Sequence, residues 1–93
     1  MKFEWDEKKN KLNNRKHKIW FEEAQTVWAD GHSIEFFDST HDESEDRYLR
    51  VGHSSRNRLL LVGFCEKMDG GVVRLISARK ATASERRQYE KGI

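Results

Sequence analysis

Apolar and polar positions change period several times along the chain, and each change marks an element. Phe3 and Trp5 alternate with charged neighbours, the period-two pattern of a short strand. Asp6 then stands as a helix N-cap with Glu7 favourable in the first turn. The predicted helix runs from Glu7 to His17 and is polar on nearly every side, with Leu12 almost its only apolar member. Such a helix lies on the surface and shows Lys8, Lys9, Lys11, Arg15 and Lys16 to solvent or to a ligand. From Trp20 to Trp28 the period becomes helical: Trp20, Ala24 and Val27 fall on one face, as do Phe21 and Trp28. Asp30-Gly31 stops this second helix.

The remainder reads mainly as sheet. Ile34 to Asp38 is a strand, Ser39 to Asp46 an acidic loop, Arg47 to His53 a strand and Ser54 to Asn57 a turn. Arg58 to Lys67 is a long strand rich in Leu, Val and Phe, and Asp69-Gly70-Gly71 is a strong turn signal before a last strand, Val72 to Arg79. Short turns imply antiparallel neighbours. The alternation is imperfect, so much of both sheet faces is expected to be covered. Thr82-Ala83-Ser84-Glu85 is a capping box that starts a helix over Ala83 to Tyr89, and Gly92 stops it. The order β-α-α-β-β-β-β-α is α+β, with helices packed on an antiparallel sheet. No repeat, low-complexity segment or proline-rich linker divides the chain, so residues 1–93 read as one domain.

Composition sharpens this picture. Hydrophobic residues are 35% and charged residues 37%, a thin core under a charged surface. A chain of 93 residues buries only roughly 60–65% of its unfolded surface, so a covering partner adds useful stability. One cysteine, Cys65, forms no intramolecular disulfide and fits a reducing compartment as a buried strand residue. The absence of a basic-then-apolar leader and of any long apolar run points to a soluble, cytoplasmic protein that engages no membrane. Net charge is only +2, but its distribution is lopsided. Residues 1–20 hold seven Lys/Arg against three Asp/Glu, residues 21–46 none against nine, and residues 47–93 eleven against four. The two ends of the chain thus build a basic surface suited to nucleic acid or an acidic protein.

Several families of chemistry are absent from the sequence. Cys65 has no CxxC partner and no two histidines have ligand spacing, so no metal or cofactor is expected. Asp42, Glu43, Glu45 and Asp46 lack the glycine and period of a calcium loop, and no Gly-rich phosphate loop or Ser-centred nucleophile motif occurs.

Phe3-Glu4-Trp5-Asp6, Lys9, Asn13, Lys16-His17 and Phe21-Glu22-Glu23-Ala24 resemble the N-terminal half of the BrnT toxin family. Arg58-Leu59-Leu60, the run Arg74 to Thr82, Glu85-Arg86-Arg87 and Tyr89-Glu90 resemble its C-terminal half. The likeness spans nearly the whole chain, and Ile76 to Thr82 with the following Glu-Arg-Arg is its most specific part. The resemblance implies a fold similar to the RelE ribonucleases and toxicity through RNA cleavage and translation arrest. It also implies neutralisation by a BrnA-type antitoxin that carries a DNA-binding domain, so that operator DNA is bound only through that antitoxin. Three positions depart from the family pattern: Glu7 replaces a frequent proline, Lys18 a frequent glycine and Trp20 a frequent serine. Their expected effects are the loss of a rigid helix start, a side chain where positive φ is wanted, and a missing N-cap.

RNA cleavage without a metal needs a base for the 2′ proton, an acid for the leaving 5′ oxygen and cations near the phosphate. Histidine is the usual base near neutral pH, whereas the resemblance to RelE-like enzymes implies Lys, Arg and Tyr. Arg79 and Lys80 stand where the last strand meets the capped helix. By alternation Arg79 shares a face with Ser77, Leu75 and Val73, and Lys80 with Arg74. The competing reading of Arg79 is a salt bridge to Glu85 or to the acidic loop. Arg50 and Arg58, on neighbouring strands, are candidates for a forked phosphate site, against ordinary solvation at a strand edge. Arg86 and Tyr89 share a helix face, where Tyr89 stacks on a base or donates a proton, against packing its ring on the sheet with its hydroxyl in water. His17, after the basic helix, is the histidine candidate, against a purely structural contact with the helix dipole. The candidate catalytic set is therefore Arg79, Lys80, Tyr89 and His17, with Arg50, Arg58, Arg74, Arg86 and Lys9 binding substrate. His32, His41 and His53 stand alone in the sequence and receive no role.

Two functions fit these residues. One is an endoribonuclease; the other is a non-catalytic module that binds RNA or a protein through the same basic face. A direct DNA-binding repressor fits less well, because no helix-turn-helix pattern is present. The antitoxin is expected to cover the two basic blocks and the polar helix, and so to block the RNA groove at least in part.

Overall fold

A computed structural model describes residues 1–38 and 46–92. The acidic loop expected over Ser39 to Asp46, with His41, lies outside the described residues apart from Asp46. The elements are β1 (Lys2–Glu4), α1 (Glu7–His17), α2 (Phe21–Ala24), a 3-10 helix (Gln25–Ala29), β2 (Ile34–Phe37), β3 (Tyr48–His53), β4 (Leu59–Lys67), β5 (Val72–Lys80) and α3 (Ala83–Lys91). The order and type of the elements match the pattern in the sequence. The second helix winds tighter after Ala24 than its period suggests. There the Thr26 hydroxyl donates to the Glu23 carbonyl (2.6 Å) and accepts from the Ser55 N–H (2.8 Å). Side-chain bonds of this kind compete with regular α-helical winding.

One sheet runs β1-β5-β4-β3-β2. The pairs β2–β3, β3–β4 and β4–β5 are antiparallel, as short turns require. β1 joins the free edge of β5 in parallel, with Phe3 opposite Val73. A parallel neighbour needs a long crossover, and the whole chain from α1 through β4 supplies it.

β4 is central, and its residues Leu59 to Cys65 are all buried. On one face Leu60, Val62 and Phe64, with Val73, Leu75 and Ala78 of β5, pack against Ile19, Phe21, Ala24 and Val27. On the other, Val51, Leu59 and Leu61 pack with Ile34, Phe36, Leu49, Ala81 and Tyr89 of α3. Two covered faces explain why the apolar run of this strand does not alternate.

The β4–β5 register steps from Gly63 opposite Ser77 to Phe64 opposite Leu75, leaving Ile76 as an extra residue. One extra residue reverses every later side chain. Val73 and Leu75 therefore share the helix-covered face with Ala78, while Arg79 joins Ser77 and Arg74 on the α3 face. This corrects the simple alternation, which puts Arg79 with Leu75 and Val73 and Lys80 with Arg74.

Beyond β1, the outer edge of β5 is closed by a side chain. Asn13 of α1 accepts from the Ala78 N–H (3.0 Å) and donates to the Ala78 carbonyl (2.9 Å) and the Ile19 carbonyl (2.9 Å). Asn10, fully buried, accepts from the Phe21 N–H (2.7 Å) and donates to Glu7 and Glu22. It serves the start of α2, where Trp20 makes no side-chain cap. At Lys18, φ is 61° and ψ 35°, the left-handed conformation that favours glycine. No helix among the described residues is long and apolar enough to cross a membrane.

Candidate active site

The ends of β4 and β5 and the start of α3 meet in a hollow lined by Asn57, Arg58, Leu59, Lys80, Ala81 and Arg86. Three candidate residues far apart in sequence thus come together. Arg58 reaches it from the turn before β4 and is locked in place. Its Nε donates to Glu23 Oε2 (2.9 Å), a second guanidinium nitrogen pairs with Glu23 Oε1, and the Ser54 hydroxyl donates to the same carboxylate (2.6 Å). The Arg58 hydrogen bonds hold the Glu23 carboxyl below its usual range against the effect of burial. Glu23 in turn raises the Arg58 guanidinium. Arg58 also donates to the Lys18 carbonyl (3.3 Å), which brings the C-terminus of α1 to the same end of the sheet.

Lys80 and Arg86 differ from Arg58. Both are exposed, and neither has an ion-pair partner among the described residues. The capping box of α3, with Thr82 Oγ1 accepting from the Glu85 N–H (3.2 Å) and Glu85 accepting from the Thr82 N–H (2.8 Å), aims Arg86 at the hollow. Arg79 is engaged instead. It forms a two-pronged salt bridge with Glu85 at 2.9 and 2.8 Å, the competing arrangement weighed for it in the sequence. That pair raises the Arg79 guanidinium and lowers the Glu85 carboxyl. Arg79 thereby braces the first turn of α3.

Tyr89, one turn after Arg86, turns inward. Its ring packs on the sheet, but its hydroxyl is not left in water: it donates to Asp30 Oδ2 (2.7 Å) and meets His53 Nδ1 at 3.0 Å. Burial and then the Asp30 carboxylate push the phenol up to about 12. Burial opposes the Asp30 charge, yet the His53 N–H (2.8 Å), the Tyr89 hydroxyl and the His32 N–H (2.9 Å) hold that carboxyl below its usual range. His53, which looks isolated in sequence, is thus joined to Tyr89 and Asp30 across three elements. No local signal marks it, because the partners are 36 and 23 residues away.

The other candidates lie elsewhere. Lys9 and His17, with Lys16, line a crevice between α1 and β5 that includes Asn13, Ile76 and Ser77. Arg50 is on the opposite sheet face from Arg79; it donates to Ser33 (2.7 Å) and Glu35 (2.6 Å) and lies 4.9 Å over the Trp28 ring. Arg74 pairs with Glu4 (3.0 Å) beside β1. Arg50 and Arg74 are therefore not brought to the hollow. At the far end of the sheet Asp46, Tyr48, Glu66, Asp69 and Gly70 line an acidic hollow. A phosphate chain is attracted to the hollow of Lys80 and Arg86 and repelled by this acidic one.

Residues 5–85 match the family described as "Ribonuclease toxin, BrnT, of type II toxin-antitoxin system". No curated protein sequence matches the chain. Among solved structures, the ribonuclease toxin BrnT of Brucella abortus superposes with a TM-score of 0.66 at 23% identity, covering 88% of this chain and 97% of that one. At that identity the superposition speaks for the fold, and the match of residues 5–85 speaks for the lineage. The chain belongs to the BrnT family of ribonuclease toxins of type II toxin–antitoxin systems.

Proposed function

We propose that this chain is a metal-independent endoribonuclease that cleaves RNA by attack of the 2′-hydroxyl on the neighbouring phosphorus and so arrests translation. The observation that carries the reading is the hollow in which Lys80 and Arg86 have no ion-pair partner among the described residues, beside a locked Arg58. Preorganised cations aimed at a phosphate stabilise charge that develops in the transition state, which is the service a metal would otherwise supply. Arg58, with Nε and one terminal nitrogen on Glu23, offers its other terminal nitrogen and its charge at a fixed position, and Lys80 and Arg86 complete the site. Arg79 acts through Glu85 by holding the start of α3, and hence Arg86, in position. Lys9, Lys16 and His17 extend the basic track for the RNA on one side.

The test is cleavage of a labelled RNA in EDTA by the parent chain and by a Lys80→Ala/Arg86→Ala double variant. Prompt cleavage by the parent, leaving 2′,3′-cyclic phosphate ends, is expected. The variant should be slower by at least about 10²–10³-fold, the loss seen when one such donor is removed. A parent that binds RNA but cuts nothing, alone or with translating ribosomes, would instead be a non-catalytic binding module. The neutralising partner is proposed to be a BrnA-type antitoxin, which covers the basic hollow at least in part and itself carries the contact to operator DNA. The exposed Lys8, Lys9, Lys11, Arg15 and Lys16 of α1 give an acidic partner a continuous counter-surface. A toxin–antitoxin complex with an open hollow and full nuclease activity would refute that arrangement.

A further inference from the structure

We propose that His53 is the general base of this cleavage, with its Nε2 taking the proton of the ribose 2′-hydroxyl. The inference rests on the nuclease reading above and supplies the group that the cationic hollow lacks. It follows from a chain of hydrogen bonds that fixes where protons reside. Asp30, ionised, can only accept, so the Tyr89 hydroxyl donates to Asp30 Oδ2 (2.7 Å). The Tyr89 oxygen must then accept from His53, and the ring nitrogen facing it at 3.0 Å is Nδ1. Neutral His53 is therefore protonated on Nδ1, and Nε2 carries the lone pair.

The surroundings hold that ring still. It packs edge-on against Tyr89, with centroids 5.1 Å apart at 73°, and the His53 N–H is itself bonded to Asp30 Oδ2 (2.8 Å). The side chain is 34% exposed, enough for a substrate to touch it. Thr26, Ala29, Asp30, Ser54 and Ser55 line the hollow around it, and Tyr89 faces it from α3. Of these groups only Asp30 is charged near neutral pH, and its carboxylate lies 3.8 Å from Nδ1. An imidazolium formed during the reaction is thus met by an opposite charge.

One strand, β4, separates His53 from the hollow of the cations. It pairs across the sheet with Leu59, and Leu59 lines the hollow of Lys80 and Arg86. β5 lies two strands from β3, about 10 Å; Lys80 pairs with Leu60 and leaves the strand end on the other face from His53, while Arg86 and Tyr89 are one turn apart on α3, which packs on β3. In this arrangement the phosphate is seated against Lys80 and Arg86, and the ribose reaches past the end of β4 to the separate hollow of His53. The 2′ O–H bond breaks, its proton goes to Nε2, and the oxygen's electron pair forms the bond to phosphorus. The bond from phosphorus to O5′ breaks, and O5′ leaves with that pair and takes a proton from the Lys80 ammonium. The products are a 2′,3′-cyclic phosphate and a 5′-hydroxyl, and solvent returns the proton from His53 to Lys80.

The experiment compares the parent chain with His53→Gln and Tyr89→Phe. Long-range ¹H–¹⁵N spectra of the parent are expected to show Nδ1 protonated and Nε2 bare. In single-turnover cleavage His53→Gln should lose about 10²–10⁴-fold in rate and keep its RNA affinity. Tyr89→Phe, which keeps the aromatic packing and removes only the hydroxyl that holds the imidazole, should lower kcat with KM unchanged in a chain shown by circular dichroism to be folded. A parent ring protonated on Nε2, or a His53→Gln chain that cuts at the parent rate, overturns the proposal while leaving the nuclease intact. A parent that cuts RNA neither alone nor with ribosomes removes the nuclease reading, and this step with it.

Discussion

Replacing Glu23 by Gln tests the part of the site that is built most firmly. The side chain keeps its size but loses its charge, and one of its two acceptor oxygens becomes a donor. In the parent, those oxygens receive Arg58 Nε, a second Arg58 nitrogen and the Ser54 hydroxyl, with the Glu23 side chain only 7% exposed. Removing one partner of a buried ion pair costs about 3–5 kcal/mol because the other is left uncompensated. Arg58 is 25% exposed and regains some hydration, so the lower end applies, about 3 kcal/mol. For a domain this small each kcal/mol moves Tm by about 4–8 °C, which places the expected loss at about 12–24 °C. Thermal unfolding followed by circular dichroism measures it. The pH dependence adds a second check. The folded Glu23 carboxyl titrates below its ordinary value. Its stabilising effect is therefore complete above the unfolded carboxyl pKa and is lost as pH falls through the folded one. The gap between parent and variant should be full at neutral pH and close on acidification. A Tm loss under about 4 °C at neutral pH, less than about 1 kcal/mol, would mean that water or the Lys18 carbonyl replaces Glu23, and the locked fork would have to be abandoned.

Two further outcomes concern the scaffold. Asn13→Leu leaves the Ala78 N–H and carbonyl and the Ile19 carbonyl without their side-chain partner. Each buried polar group so stranded costs about 1–3 kcal/mol, so urea unfolding should show a loss of several kcal/mol; a change within about 1 kcal/mol would mean that the edge of β5 finds other partners. Lys18→Gly relieves a left-handed conformation and should stabilise by about 1 kcal/mol in the same assay. A destabilised glycine variant would show that the Lys18 side chain contributes more than its backbone strain costs.

The departures from the family pattern show how local losses are repaired at a distance. Without proline at Glu7, α1 still starts cleanly because Asp6 Oδ1 accepts from the Lys8 N–H (2.8 Å) and the Lys9 N–H (3.4 Å). Without serine at Trp20, the first N–H of α2 is satisfied by Asn10 from the neighbouring helix. The lost glycine at Lys18 has no such repair, and the backbone takes positive φ regardless.

The element order, the capping box, the two turns and the segregation of charge were all legible in the sequence, because each depends on neighbours a few residues apart or on simple counting. The resemblance carried the family. The composition of the hollow was partly legible: Arg58, Lys80 and Arg86 could be named, but not which of the arginines were already occupied. Arg79, Arg50 and Arg74 look as available as Arg86 in the sequence, and only folding gives them Glu85, Glu35 and Glu4. Two features belonged wholly to the tertiary structure. The extra residue at Ile76 reverses the faces of β5, and it is visible only once β4 supplies a register to be broken. The union of Asp30, His53 and Tyr89 depends on α3 folding back over β3, a contact between residues 36 and 59 positions apart. Local pattern determines which elements form and what charge they carry; long-range packing decides which side chains are consumed in holding the fold and which remain for chemistry.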